Sequence, residues 1–218
     1  MVILQVIQIM SANPLSHASQ AQTQLSLFLD EEEYKPVEID TVYQYLVVLS
    51  PPDENKDKVR RLKYYLNTLS YLGSYNLFSV PHITLAKLQS VHRLHDPFGK
   101  ALQKTFLGHG KLSIRLNGFN HFSHGSNQRT LYLQIEEGQK IEAIYQQLNT
   151  FLGIPLKTFV PHLTIAKTIS TTHFEELLPV LPAGYQDEFI CDHLLVLERK
   201  IKNQKVSHYK PFKKIRLR

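Results

Sequence analysis

Two eight-residue stretches carry residue types suited to proton transfer and phosphate binding: "VPHITLAK" at Val80 to Lys87 and "VPHLTIAK" at Val160 to Lys167. Imidazole titrates near neutral pH. A pair of imidazoles can therefore take a proton from an attacking oxygen while giving one to a leaving oxygen. The hydroxyls of Thr84 and Thr164 can donate to the non-bridging oxygens of a phosphate, and such charge-assisted bonds are stronger than neutral ones. His82 and His162 are thus the candidate acid and base, and Thr84 and Thr164 the candidate phosphate-binding residues. The pseudo-symmetry of the motifs leaves the two histidine roles interchangeable. The His-x-Thr spacing, with no close His or Cys pair and no Asp or Glu inside either octapeptide, does not favour a metal, and no cofactor is expected. A single His-x-Thr reads more simply as a structural strand residue. Its recurrence with matching flanks points to a shared site.

Strands position these groups. Side chains alternate faces, so His82, Thr84 and Ala86 share one face while Ile83, Leu85 and Lys87 share the other, and the second copy repeats this arrangement. The histidine and threonine of each copy then lie roughly 6.6 Å apart along the strand, opposite an apolar face that packs on helices. Lys87 and Lys167, candidate substrate-binding residues, fall off the catalytic face unless the strand ends or bulges. Proline before each histidine removes an amide donor and places the histidine where a strand begins or bends.

The surrounding elements repeat as well. Strand, helix and motif strand occur as Tyr43 to Leu88 and again as Arg129 to Lys167, as an internal duplication would leave them, so two similar lobes facing each other are expected. Gly153 is expected to stop the second helix, and "DEFICDHLLVLERKI" reads as one long strand. Between the lobes, "NGFNHFSHGSNQRTLYL" mixes aromatic and basic residues. Phe122, Arg129 and Tyr132 are candidates for stacking on a base or pairing with a phosphate. The alternative is an ordinary hairpin with core phenylalanines, with His121 and His124 on its surface. Tyr43 and Tyr45 share one face of their strand, with Tyr132 as a counterpart in the second lobe; they are candidates for the site or for core packing.

At 218 residues and 43% hydrophobic content, the chain has enough apolar material for a sizeable core. The formal net charge of +6 is local: nine basic and no acidic residues lie from Arg199 to Arg218, leaving 6 − 9 = −3 upstream. This basic end faces either a phosphate-bearing partner or solvent, as an edge strand guarded by lysines. The one cysteine, Cys191, sits among apolar neighbours and reads as a buried thiol in a reducing compartment. No secretory signal or membrane helix is convincing, so no membrane partner is expected and the cytoplasm is the default. Residues 1–38 read as an N-terminal extension to a domain spanning 39–218. Within that extension "QLSLF", Gln24 to Phe28, resembles the pentapeptide by which bacterial replication and repair proteins dock on the DNA sliding clamp; the alternative is packing as a stray strand.

The duplicated "PHxTxA" strands, each followed by a basic residue, resemble those of the two-histidine phosphoesterase superfamily, in particular its LigT-like branch of 2′-5′ RNA ligases and RNA 2′,3′-cyclic phosphodiesterases. The resemblance runs from about Tyr43 to the C-terminus. It implies a bilobal α+β fold whose two pseudo-symmetric antiparallel sheets enclose a catalytic cleft. It further implies metal-independent attack on 2′,3′-cyclic or 2′-5′ phosphodiesters of RNA or nucleotides, with His82 and His162 catalytic and Thr84 and Thr164 on the phosphate. Many relatives carry an arginine where Lys87 and Lys167 stand. Alternatives are a 2′-5′ oligonucleotide or non-RNA phosphodiester as substrate, or a nucleic-acid-binding module without catalysis.

Overall fold

The computed structural model describes residues 41–203 and 205–218, so the N-terminal extension and Gln24 to Phe28 lie outside the described residues. Strand β1 (Thr41–Leu49) sends Tyr45, Val47 and Leu49 into the core. Helix α1 (Asp53–Leu69) follows Pro52 and has Asp53 and Glu54 in its first turn, where carboxylates complement the helix dipole. It buries Val59, Leu62, Lys63 and Leu66, one stripe at helical spacing. A single-turn helix, α2 (Ser74–Phe78), leads into β2 (Ile83–Ser90), which carries the first motif. Helix α3 (Asp96–Thr105) and the hairpin β3 (Leu112–His124) with β4 (Gln128–Glu136) come next. Helix α4 (Gln139–Leu152) stops at Gly153, whose φ of 64° is the left-handed conformation a glycine cap supplies without steric cost. The second motif forms β5 (His162–Ser170), followed by α5 (Thr171–Leu177), β6 (Gln186–Cys191), β7 (His193–Lys202), the two-residue β8 (Lys205–Val206) and β9 (Lys210–Arg216).

The strands form two antiparallel sheets, one ordered β2-β1-β7-β8 with β9 also on β7, the other β5-β4-β3-β6. Each motif strand is therefore an edge strand, a position that tolerates the missing amide of Pro81 or Pro161. The two edges lie against each other. Helix α4 packs on β2, and α1 and α2 pack on β5, so each lobe's helices cover the other lobe's motif strand. One continuous apolar core results, running from Val47 and Ile83 through Ile144 to Leu163 and Val196.

The segment expected as one long strand is two. It breaks at Asp192: β6 pairs with β3 in the second sheet and β7 with β1 in the first. The apolar phase slips by one residue there, from Phe189 and Cys191 to Leu194 and Val196, because the chain changes sheets while feeding the same core. Cys191 is buried at the crossing, and burial pushes its thiol pKa up.

Candidate active site

Both motif strands bulge at the same motif position. Val47 pairs with Ala86 and Val48 with Thr84, leaving Leu85 unpaired; Leu131 pairs with Ala166 and Tyr132 with Thr164, leaving Ile165 unpaired. An extra residue shifts the alternation by one. Leu85 and Ala86 are consequently both buried, as are Ile165 and Ala166, and Lys87 and Lys167 emerge exposed on the face of the histidines and threonines. The bulge thus meets the condition under which alternation permits the two lysines to join that face.

The histidines are held identically. His82 Nδ1 lies 2.8 Å from Val80 O, and His162 Nδ1 lies 2.8 Å from Val160 O. A carbonyl only accepts, so Nδ1 carries the proton in each neutral ring and Nε2 keeps its lone pair. Burial lowers the pKa of His82, opposed by the Val80 bond and reinforced by the charges of Lys63 and His162. Burial lowers that of His162 too, opposed by its Val160 bond and reinforced by Lys167. The two imidazoles therefore share one electrostatic neighbourhood, rich in positive charge. Neutral rings are favoured until an anion arrives, which reverses the bias.

Two aromatic residues wall the second histidine. Phe122 presents an edge to His162 at 5.0 Å, Tyr132 lies 5.0 Å from the same ring, and Phe122 stacks on Tyr132 at 4.4 Å. Tyr132 is the cross-strand partner of Thr164. Burial raises its pKa, so its hydroxyl keeps its proton. His124 shares this face, with Nε2 at 2.9 Å from Thr130 Oγ1, while His121, exposed on the opposite face, lies 4.7 Å from the Phe174 ring.

Three other candidates lie elsewhere. Tyr45 is fully buried; its hydroxyl donates to Glu198 at 3.0 Å and accepts from the Leu94 amide at 2.8 Å. Tyr43 shares that face and packs against the core. The cleft phase of β1 is Gln44, Leu46 and Val48, and Val48, opposite Thr84, is the equivalent of Tyr132. Arg129 donates to the carbonyls of Gly125, Ser126 and Gln128, stapling its own hairpin.

Sequence reasoning missed a buried polar frame behind the motifs. Lys63, 1% exposed, donates to Asn76 O at 3.1 Å, Ser79 O at 2.9 Å and Ser79 Oγ at 2.7 Å, and burial pushes its pKa down to about 8. These bonds fix the segment entering Val80 to His82. Asn76 Nδ2 donates to Leu72 O and to Lys167 O, and Asn76 Oδ1 accepts from Lys167 N. From α4, Asn149 Nδ2 reaches the bulged residue, Leu85 O, at 3.3 Å. An asparagine from the opposite lobe's helices thus satisfies the open edge of each motif strand. The signal was present: Lys63 and Asn149 both fall on or beside apolar helical stripes.

Among the described residues no group of three or more His, Cys, Asp or Glu is placed to hold a metal ion, and no helix is long and apolar enough to cross a membrane.

Two antiparallel sheets, duplicated edge-strand motifs and exchanged helices define a LigT-like α+β fold. The chain belongs to the 2′-5′ RNA ligase superfamily, whose family model matches residues 51–203. It is 26% identical over 139 residues to a Geobacillus kaustophilus protein provisionally named as a phosphoesterase, covering 62% of this chain and 75% of that one. Its fold is similar to that of TT0787 of Thermus thermophilus, with a TM-score of 0.55 at 16% identity over 80% of this chain and 97% of that one. Escherichia coli LigT, solved with 3′-AMP, matches with a TM-score of 0.55 at 11% identity over 81% of this chain and 98% of that one.

Proposed function

We propose that this protein is a phosphoesterase that opens 2′,3′-cyclic phosphate ends, or acts on 2′-5′ linkages, of RNA or nucleotides by two-histidine acid/base catalysis. The observation that carries the reading is the matched pair of Nδ1 bonds, at 2.8 Å to Val80 O and 2.8 Å to Val160 O, which leaves both Nε2 atoms for substrate. In hydrolysis, the neutral imidazole takes a proton from water as the water oxygen bonds to phosphorus. The protonated imidazole gives its proton to the departing ribose oxygen as the P–O bond breaks. The two rings end with their protonation states exchanged, and solvent resets them. Thr84 and Thr164, on the same faces, donate to the non-bridging oxygens, where negative charge accumulates. Joining a 2′-5′ linkage runs the same transfers with a ribose hydroxyl as nucleophile.

The nucleotide ligand of E. coli LigT supports a nucleotide substrate, as does the Phe122–Tyr132 stack beside His162. A nucleic-acid-binding module without catalysis would need no paired acid and base. The test is to incubate an RNA ending in a 2′,3′-cyclic phosphate with the protein and EDTA, beside a His82→Ala, His162→Ala double variant, and to identify the terminal phosphate formed. Opening to a 2′-phosphate by the wild type alone is expected. No turnover of either this RNA or 2′-5′ oligonucleotides would overturn the reading.

A further inference from the structure

A second group of side chains lies on the same face as the histidines, farther along the sheet. Gln89, Gln44 and Arg199 stand in register across β2, β1 and β7. Arg199 Nε donates to Gln44 Oε1 at 2.7 Å, and Gln44 Nε2 donates to Gln89 Oε1 at 3.2 Å. This row fixes the guanidinium beside Lys87, which the bulge has turned onto the same face. Lys87, Lys167 and Arg199 converge there, and among the described residues none forms an ion pair with a carboxylate. Burial lowers the pKa of Lys87, and the charges of Arg199 and Lys167 lower it further. Three cations held together against their mutual repulsion make a site for an anion.

That anion is distinct from the one between the histidines. Counting the bulge as one step, roughly 13 Å of strand separates the Cα atoms of His82 and Lys87, more than one phosphate group spans. Aromatic rings adjoin the cations. The Arg199 guanidinium lies 4.6 Å above the Tyr209 ring. Tyr75, 77% exposed, is close enough to Tyr209 to influence its hydroxyl electrostatically. Tyr75 sits on α2, whose neighbouring Asn76 is bound to the Lys167 backbone and whose carbonyl accepts from buried Lys63. An exposed ring on a backbone anchored in this way is a preorganised surface on which a base can stack.

We propose that Lys87, Lys167 and Arg199 form a second phosphate subsite, with Tyr75 and Tyr209 stacking an adjoining base, so that the substrate is a single-stranded RNA end and not a free mononucleotide. This rests on the phosphoesterase reading for the reaction but not for the binding. The nearer phosphate engages His82, His162 and the threonines. The next one along the strand engages the three cations.

Two measurements on the intact protein test it. First, fluorescence anisotropy of a labelled RNA hexamer ending in a 3′-phosphate, with a nucleoside 3′-phosphate as competitor, reads binding without chemistry. The hexamer should bind at least tenfold more tightly. Arg199→Gln should reduce the slope of log K against log salt by about one, and Tyr75→Ala should weaken the hexamer about tenfold with the slope kept. Second, the ratio of kcat/KM for a hexamer with a 2′,3′-cyclic end to that for a nucleoside 2′,3′-cyclic phosphate should fall towards one in both variants. Equal affinity for hexamer and mononucleotide, or hexamer binding indifferent to both substitutions, overturns the proposal. Tight, substitution-sensitive hexamer binding without opening of cyclic ends would support the subsite and remove the reaction.

Discussion

Asn76 and Lys167, 91 residues apart, are joined by two hydrogen bonds: Asn76 Nδ2 donates to Lys167 O at 3.0 Å, and Lys167 N donates to Asn76 Oδ1 at 2.8 Å. A side-chain amide thereby takes the place of a neighbouring strand at the edge of β5. It ties the segment entering the first motif to the strand bearing the second.

Replacing Asn76 with alanine removes both partners of the Lys167 backbone groups. Each buried polar group left unpaired costs roughly 1–3 kcal/mol. Asn76→Ala should lower unfolding stability by about 2–5 kcal/mol in a denaturant titration. Asn76→Asp keeps an acceptor for the Lys167 amide but turns a buried carboxylate oxygen towards the Leu72 and Lys167 carbonyls, so it should not restore the lost stability. Equal stability of wild type and Asn76→Ala would show that these bonds do not hold the lobes in register.

The buried ammonium of Lys63 gives stability a pH dependence of known sign. Its pKa is about 8 in the folded protein, against 10.5 for an ordinary lysine. Between those values the unfolded chain binds a proton that the folded protein has released, so stability rises with pH across this window, by at most about 1.4 kcal/mol per pH unit. Lys63→Met should lack that rise. The same variant loses a positive charge that lowers the His82 pKa and should move whichever limb of kcat/KM His82 sets to higher pH. Coincident stability curves for the two proteins contradict the assignment.

Gly138 is fixed by contact, because a Cβ there would lie 2.6 Å from Pro161 Cγ. Pro161 immediately precedes His162, so Gly138→Ala displaces the ring's approach. A misplacement of this order should lower kcat up to about a hundredfold while the protein stays folded by circular dichroism. Unchanged kcat would mean that the proline yields without moving the histidine.

Binding an anionic phosphodiester should raise the pKa of both imidazoles, which burial holds low in the free protein. The pH profile of kcat should therefore lie at higher pH than that of kcat/KM. The limbs belong to the coupled pair. Superimposed profiles would place the titrating groups away from the phosphate.

Much of this frame is legible in the residues themselves. The repeated octapeptides announce two strands with matching faces, and Gly153 ends its helix as its position suggests. The bulges are not legible. Leu85-Ala86 and Ile165-Ala166 read as plain alternation, and only the pairing partners Val47-Val48 and Leu131-Tyr132 reveal the extra residue. Tyr45 enters the core while Tyr132 faces the site because Val48, three residues on and on the other face, holds the place of Tyr132 opposite the motif threonine. The sheet switch at Asp192 leaves a trace, a one-residue slip in apolar phase, but both halves serve one core and the run looks continuous. Arg199 is anonymous in a basic tail until its register with Gln44 places it on the cleft face.

In the proposed reaction His82 and His162 divide acid and base duties. The most direct measurement is the pH dependence of kcat/KM on a cyclic-ended RNA for the wild type, His82→Ala and His162→Ala. The wild type should give a bell, with each single variant losing about 10² to 10⁴ in rate. The variant lacking the base should lose the acidic limb, and the variant lacking the acid the alkaline limb. A bell with both limbs intact in both variants would contradict the account.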